Sequence, residues 1–316
     1  MRIVFFGASD LGWECCNALL LAREQIVGIV TIPQTFSISW SDKPVVNSRY
    51  RSFHGLAEAH GLPLLSIEKR MKEPAYLETV RVWNPDLILV IGWYYMVSSA
   101  YRNLASHGAI GLHASLLPKY RGGAPLVWAV INGERETGVS LFQLEDGVDT
   151  GGILGQARFP IEETDDISDV VAKATRSSVK LVRHCILRLR EGKASFVPQN
   201  EAEATIMPQR KPEDGWLDWS RLSLPDAYNW IRAQSRPYPG AFSRLDGAKM
   251  SIWRSQKTDR VTACEPGCLF VDDGQLFATC ADRRALRLLD LSMEGGDTEG
   301  LASVIQRVVN GGARLA

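Results

Sequence analysis

MRIVFFGASDLGWECCNALLLAREQIVGIVTI, residues 1–32, decides the fold. RIVFF (2–6) and QIVGIVTI (25–32) are continuous apolar runs. Such runs mark parallel strands covered on both faces, because a sheet with one wet face alternates apolar and polar residues. Between them, Asp10 to Arg23 repeats its apolar residues at helical spacing. Strand, helix, strand is the unit of an open α/β sheet. The opening run holds one arginine and is too short for a signal peptide, so it reads as a first strand.

The turn GASDLG sets Gly7 and Gly12 around four residues. Trp13 and Glu14 follow where a phosphate loop needs lysine and then serine or threonine, and the middle glycine of a dinucleotide fingerprint is missing. A tight turn with Ser9 or Asp10 capping the helix is the expected reading.

The same pattern continues. DLILVIG (86–92), AIGLH (109–113) and GVSLFQL (138–144) read as further strands, and 52–60, 74–83, 125–132 and 166–191 as helices. The fold class expected is α/β: a Rossmann-like open, mainly parallel sheet, with ligands at the carboxyl ends of its strands. Residues 1–195 form this N-terminal domain. Periodicity fails over 196–212, which collects proline, glycine and charge and reads as a linker. Beyond it, 213–316 carries WLDW, a helix near 224–234, and the short alternating runs AKMSIWRSQ, GCLFVDD, QLFATCAD and ALRLLDLSM between DG turns. These predict a small β-rich, barrel-like domain.

Composition excludes several classes. The chain has 316 residues with 45% apolar and 23% charged, as expected of a protein with a sizeable core. Lysine plus arginine equals aspartate plus glutamate at 36 each, which argues against a dominant nucleic-acid face. No run reaches the roughly 18 apolar residues of a membrane span. Six scattered cysteines read as idle thiols of a cytoplasmic protein, since Cys264 and Cys268 have no second pair to complete a metal site.

His113 ends a predicted strand, and Asp149 lies in EDGVDTGG (145–152), a glycine-rich segment after another. A histidine oriented by a carboxylate suits acid–base work near neutral pH, although one such pair taken alone is more often hydrogen-bonded scaffold than catalyst. Ser115 and Ser140 stand near enough in sequence to suggest a triad, but no G-x-S-x-G elbow surrounds either.

The segment LHASLLPKYRGGAPLVWAVINGERETGVSLFQLEDGVDTGGIL (112–154) resembles the signature of the folate-dependent formyltransferases. That family includes methionyl-tRNA formyltransferase and the sugar N-formyltransferases. RKPEDGWLDW (210–219) and IRAQSRPYPGAFS (231–243) are similar to the start of the C-terminal domain of these proteins. The resemblance implies an enzyme that moves a formyl group from N10-formyltetrahydrofolate, as co-substrate and without a metal, to a primary amine. His113 would stabilise the oxyanion or carry the proton, and Asp149 would orient the imidazole. The folate would lie against the strand-end loop Gly92, Trp93, Tyr94 and Tyr95 and the loop Glu145, Asp146, Gly147 and Val148. Ser115, Leu116 and the loop through Arg121 would close the pocket.

One position departs from the motif. Where the family has an asparagine that donates to the formyl oxygen, this chain has Gly111. Loss of one such donor typically lowers turnover by about 10²–10³. Tyr94, Tyr95 or an ordered water could supply the donor, the chemistry could have shifted, or the protein could hold folate with weak transfer. As acceptor, a nucleotide-linked amino sugar is expected ahead of methionyl-tRNA or another small amine. The loop 33–51 sets only Lys43, Arg49 and Arg51 against Asp42, and residues 207–316 carry about one net positive charge. No membrane partner is expected, and a homodimer stays open.

Overall fold

The computed structural model describes the whole chain except Trp40, Arg70, residues 295–299, Gly312 and Ala316. By its own contacts the chain divides into two units. One comprises 1–123, 136–159 and 172–207, and the other 124–135, 160–171 and 208–316.

The first unit is built on a seven-stranded sheet. Its order is Ile153–Pro160, Glu136–Gln143, Ala109–His113, Leu87–Val90, Ile3–Phe6, Ile26–Thr31 and Leu64–Ser66. The run from Ala109–His113 to Leu64–Ser66 pairs in parallel, and Glu136–Gln143 lies antiparallel to Ala109–His113. Ile3–Phe6 and Leu87–Leu89 have no solvent exposure, which is why both read as unbroken apolar runs. The strand order reverses between Ile3–Phe6 and Leu87–Val90, and such a switch point opens a crevice at the carboxyl ends. Gly92 turns there with φ +64°, and a Cβ on it would lie 1.9 Å from Ser9 Oγ. Ser9 is therefore pressed against the strand-end loop, and it caps the helix Asp10–Leu21 by accepting from Gly12 N at 3.3 Å.

The helices Pro74–Val82, Pro125–Ile131 and Ile167–Arg190 fall within a residue of their expected bounds, and His54–Ala59 starts two later. Of the stretch expected as a linker, 196–207 is hydrogen-bonded into the first unit and 208–212 belongs to the second. Val197 exchanges two backbone hydrogen bonds with Ile153, and Ile206–Met207 pairs in parallel with Arg121–Gly122.

The second unit holds a six-stranded sheet in the order Ala241–Leu245, Ala248–Gln256, Ala285–Met293, Gln275–Thr279, Cys268–Asp272 and Ala313–Arg314, antiparallel throughout. An isolated bridge from Leu245 to Leu315 joins the two edges, giving the barrel-like closure expected from the sequence. Its core gathers Leu217, Trp219, Ile231, Met250, Ile252, Leu286 and Val304. Arg210, at the start of the RKPEDGWLDW motif, stacks over Trp128 and Trp230 with centroid distances of 4.7 and 5.2 Å.

Candidate active site

His113 is the last residue of its strand and is 9% exposed. Its Nε2 lies 2.7 Å from the carbonyl oxygen of Tyr120, so that nitrogen carries a proton and donates it. Nδ1 lies 3.5 Å from Oδ2 of Asp149. The same Oδ2 accepts the backbone N–H of Gly122 at 2.8 Å, fixing the carboxylate beside the ring. The structure thus brings together the two residues that the sequence singles out, with the imidazole held between a carbonyl and a carboxylate. That arrangement suits proton transfer near neutral pH.

Asp149 reaches this place with a left-handed backbone, φ +54°. Aspartate tolerates that region better than most residues, at a modest conformational cost. Gln199 holds the turn. Its Nε2 donates to the carbonyls of Asp149 and Gly151, both at 2.7 Å. Its Oε1 accepts from Nε and Nη2 of Arg121 at 3.1 and 2.8 Å. Arg121 is 3% exposed and closes the network on Glu201, with two hydrogen bonds of 2.8 and 2.6 Å. The fork-on-fork pair holds the Arg121 guanidinium above its ordinary pKa and Glu201 below the usual carboxylate value. Sequence reading missed Gln199, Glu201 and Thr205, because a segment without periodicity gives no sign that its side chains turn back onto a distant loop.

Gly111 lies two residues before His113 on the same strand, paired with Phe142 of the neighbouring antiparallel strand. A Cβ there would meet Leu144 Cδ2 at 2.6 Å and Phe142 Cε1 at 3.3 Å. The space beside Gly111 is already filled. The tyrosine hydroxyls expected as substitute donors are engaged elsewhere: Tyr94 donates to Asn47 Oδ1 at 2.9 Å and Tyr95 to Ser37 O at 3.1 Å.

Gly92–Tyr95 forms an aromatic ledge. Trp93 packs edge-on against Phe6 and Tyr95, and Tyr94 lies 4.8 Å from the ring of Phe36. The Trp93 indole Nε1 is buried without a hydrogen-bond partner. Residues Glu145 to Val148 are exposed, and Arg102 ties them to the ledge's loop. Its Nη1 donates to Val97 O at 3.0 Å and Glu145 O at 3.1 Å, and its Nη2 pairs with Asp146.

Ser115 and Ser140 are not nucleophiles in this arrangement. Ser115 Oγ donates to Lys119 O at 2.6 Å, and Ser140 Oγ donates to Ser115 O at 2.7 Å. Ser115 is 1% exposed, so its hydroxyl shapes the loop from within, while Leu116 is half-buried beside it. Among the described residues no group of three or more His, Cys, Asp or Glu side chains could hold a metal ion. None of the described helices is long and apolar enough to cross a membrane.

Comparison with known proteins identifies the family and the fold. The sequence model of the family described as formyl transferase matches residues 1–185, and that of the formyl transferase C-terminal domain matches 210–308. The methionyl-tRNA formyltransferase of Bacteroides fragilis is 32% identical over 307 residues, 93% of this chain and 91% of that protein. In fold, the chain is similar to HypX from Aquifex aeolicus, with a TM-score of 0.65, 18% identity and 98% of this chain covered. It spans about half of that longer protein, 49%. An N-formyltransferase from Helicobacter canadensis, solved with folinic acid and dTDP-3-aminofucose, superposes with a TM-score of 0.66 at 16% identity, covering 91% of this chain and 98% of its own.

Proposed function

The chain belongs to the formyl transferase family, and from that premise we propose that it moves a formyl group from N10-formyltetrahydrofolate to the primary amine of a nucleotide-linked amino sugar. The observation that carries the reaction is the approach of His113 Nδ1 to Asp149 Oδ2 at the carboxyl edge of the sheet. The folate supplies an activated formyl carbon. The amine nitrogen attacks that carbon, the carbonyl oxygen takes the negative charge, and the bond to the folate nitrogen then breaks. The amine loses a proton and the folate nitrogen gains one. His113 is the group placed to accept and return that proton, and Asp149 steadies the charged ring while it does so.

The residues around this pair suit a folate. Trp93 Nε1 is a buried donor in want of an acceptor, on an aromatic ledge suited to a planar heterocycle. The exposed Glu145–Val148 segment offers backbone groups. We assign catalysis to His113 and Asp149 within the N-terminal domain, residues 1–195, and folate binding to the ledge and this segment. The β-rich domain is taken as 213–316.

The amino-sugar reading rests on charge balance, 36 cations against 36 anions, with only Lys43, Arg49 and Arg51 set against Asp42 in the loop after the second strand. A second reading, methionyl-tRNA as acceptor, is favoured by the 32% identity to the Bacteroides fragilis enzyme. Incubation with N10-formyltetrahydrofolate and either a panel of nucleotide-linked amino sugars or charged initiator tRNA, followed by mass spectrometry, tests both. A gain of one formyl group on a sugar nucleotide is the expected result. Formylation of the tRNA alone overturns the acceptor, and formylation of nothing overturns the reaction.

A further inference from the structure

We infer that the segment from Val197 to Met207 is a strap that sets the catalytic geometry, and that Gln199 is a positioning residue acting on His113 through Asp149. The inference rests on the assignment of His113 and Asp149 as the catalytic pair. Both members of that pair are held by partners that the strap itself holds. Asp149 is fixed from behind by Gln199 Nε2, which donates to its carbonyl oxygen and to that of Gly151. His113 Nε2 donates to Tyr120 O, and the backbone of Tyr120 is fixed in turn by Thr205, whose Oγ1 accepts Tyr120 N at 2.8 Å. Arg121 N donates to Thr205 O, also at 2.8 Å. Gly122, whose N–H donates to the Asp149 carboxylate, pairs in the strand register with Met207.

The chemistry of Gln199 matches this work. An amide side chain offers two donors and one acceptor system at once. Here the donors face two carbonyls on one side and the oxygen faces a guanidinium on the other. Glutamate of the same length would keep the bond to Arg121 but set a carboxylate against two carbonyl oxygens. Alanine would lose both sides. The residue with most to lose is Asp149, since its left-handed backbone persists only while its surroundings hold it there. A carboxylate freed from this turn drifts from the imidazole, and a misplacement of about 1 Å at a catalytic group typically lowers turnover by about 10²-fold.

The test compares Gln199→Ala and Gln199→Glu with Arg158→Gln, a control change at an exposed residue outside the strap. Steady-state kinetics are measured against pH, the His113 ring nitrogens are titrated by NMR, and thermal melting is followed. The strap predicts that both Gln199 variants lose about 10- to 100-fold in kcat with KM for folate and amine nearly unchanged. Their pH profile moves, and the His113 titration moves with it while those of His54, His60, His107 and His184 stay put. Arg158→Gln stays near wild type. An unmoved His113 titration in folded Gln199→Glu overturns the inference, as does a rate loss matched by equal loss of folded protein. If the wild-type protein forms no formyl product at all, the catalytic assignment fails, yet the NMR titration still decides whether Gln199 positions Asp149 against His113.

Discussion

Leu144 stands where a side chain on Gly111 would begin: a Cβ built on Gly111 lies 2.6 Å from Leu144 Cδ2. The two residues are on neighbouring antiparallel segments, with Leu144 N donating to Ala109 O at 2.8 Å. The missing motif asparagine is thus a substitution of packing as well as of chemistry. Leucine methyls fill the space that an asparagine side chain at this position would need.

Restoring the asparagine alone should therefore not raise activity. Gly111→Asn has to push aside the end of Leu144 and approach Phe142, and small-to-large changes in a packed site are destabilising by about 1–3 kcal/mol. With Leu144→Ala in the background, the same asparagine has room and regains its role as donor. Turnover of the double variant should exceed that of Leu144→Ala alone, by up to about a hundredfold if one oxyanion donor is recovered. A double-mutant cycle on kcat measures the coupling. Additive effects would mean that the two positions do not share this space.

Removal of either member of the catalytic pair should be severe. His113→Ala and Asp149→Asn are each expected to lower turnover by about 10² or more while folate binding, read by fluorescence or calorimetry, changes little. Near-wild-type turnover in both variants would remove the mechanism.

What could be read from the sequence follows from which physics leaves a local trace. The strands at Ile3–Phe6 and Leu87–Val90 are buried on both faces, so their composition alone announces them. The strand Ile153–Pro160 was not legible. It lies at the sheet edge with exposed and half-buried residues mixed along ILGQARFP, and neither strand nor helix period emerges. His113 and Asp149 could be paired because each sits just past a strand-like run. Gln199 could not, since a side chain that binds two backbone carbonyls leaves no pattern in the residues around it. Gly111 was visible only as an anomaly in a motif, and its reason, Leu144, is a contact across strands that no local reading reaches.

Arg102 is expected to matter for binding more than for chemistry. Its guanidinium joins Val97 O to Glu145 O and pairs with Asp146, so it holds the two loops assigned to folate against each other. Arg102→Ala should raise KM for the folate several-fold with kcat largely kept, and Arg102→Lys should recover only part, because one ammonium cannot reproduce the fork. An unchanged folate KM in the alanine variant would separate Arg102 from the pocket.

The thiols should divide into two reactivity classes. Burial pushes the Cys280 thiol up to about 12, and it raises Cys15, Cys16 and Cys185 as well. A raised pKa keeps these four as neutral thiols at pH 8, where the reactive thiolate is absent. Cys264 and Cys268 are only half-buried. Labelling of the native protein at pH 8 should modify no more than Cys264 and Cys268, and denaturant should expose the rest. Rapid labelling of Cys15 or Cys16 in the native state would contradict the packing of the first helix.

Salt dependence should separate the two acceptors. The helix Ile167–Arg190 exposes Arg176, Lys180 and Arg183 at spacings of four and three residues, on one stripe and with no carboxylate partner among the described residues. A nucleic acid would find cations there despite the neutral whole. If the acceptor is a sugar nucleotide, its few charges release no condensed counterions, and kcat/KM should fall only gently as salt rises. Charge reversal by Arg176→Glu, Lys180→Glu and Arg183→Glu together should leave that rate within about twofold, as for surface changes away from a site. A tRNA acceptor drawn by this stripe behaves otherwise. Its log(kcat/KM) would fall steeply with log salt, and losing three phosphate contacts would flatten the slope by roughly two to three. A steep slope that the triple variant flattens would transfer the acceptor assignment from the amino sugar to tRNA.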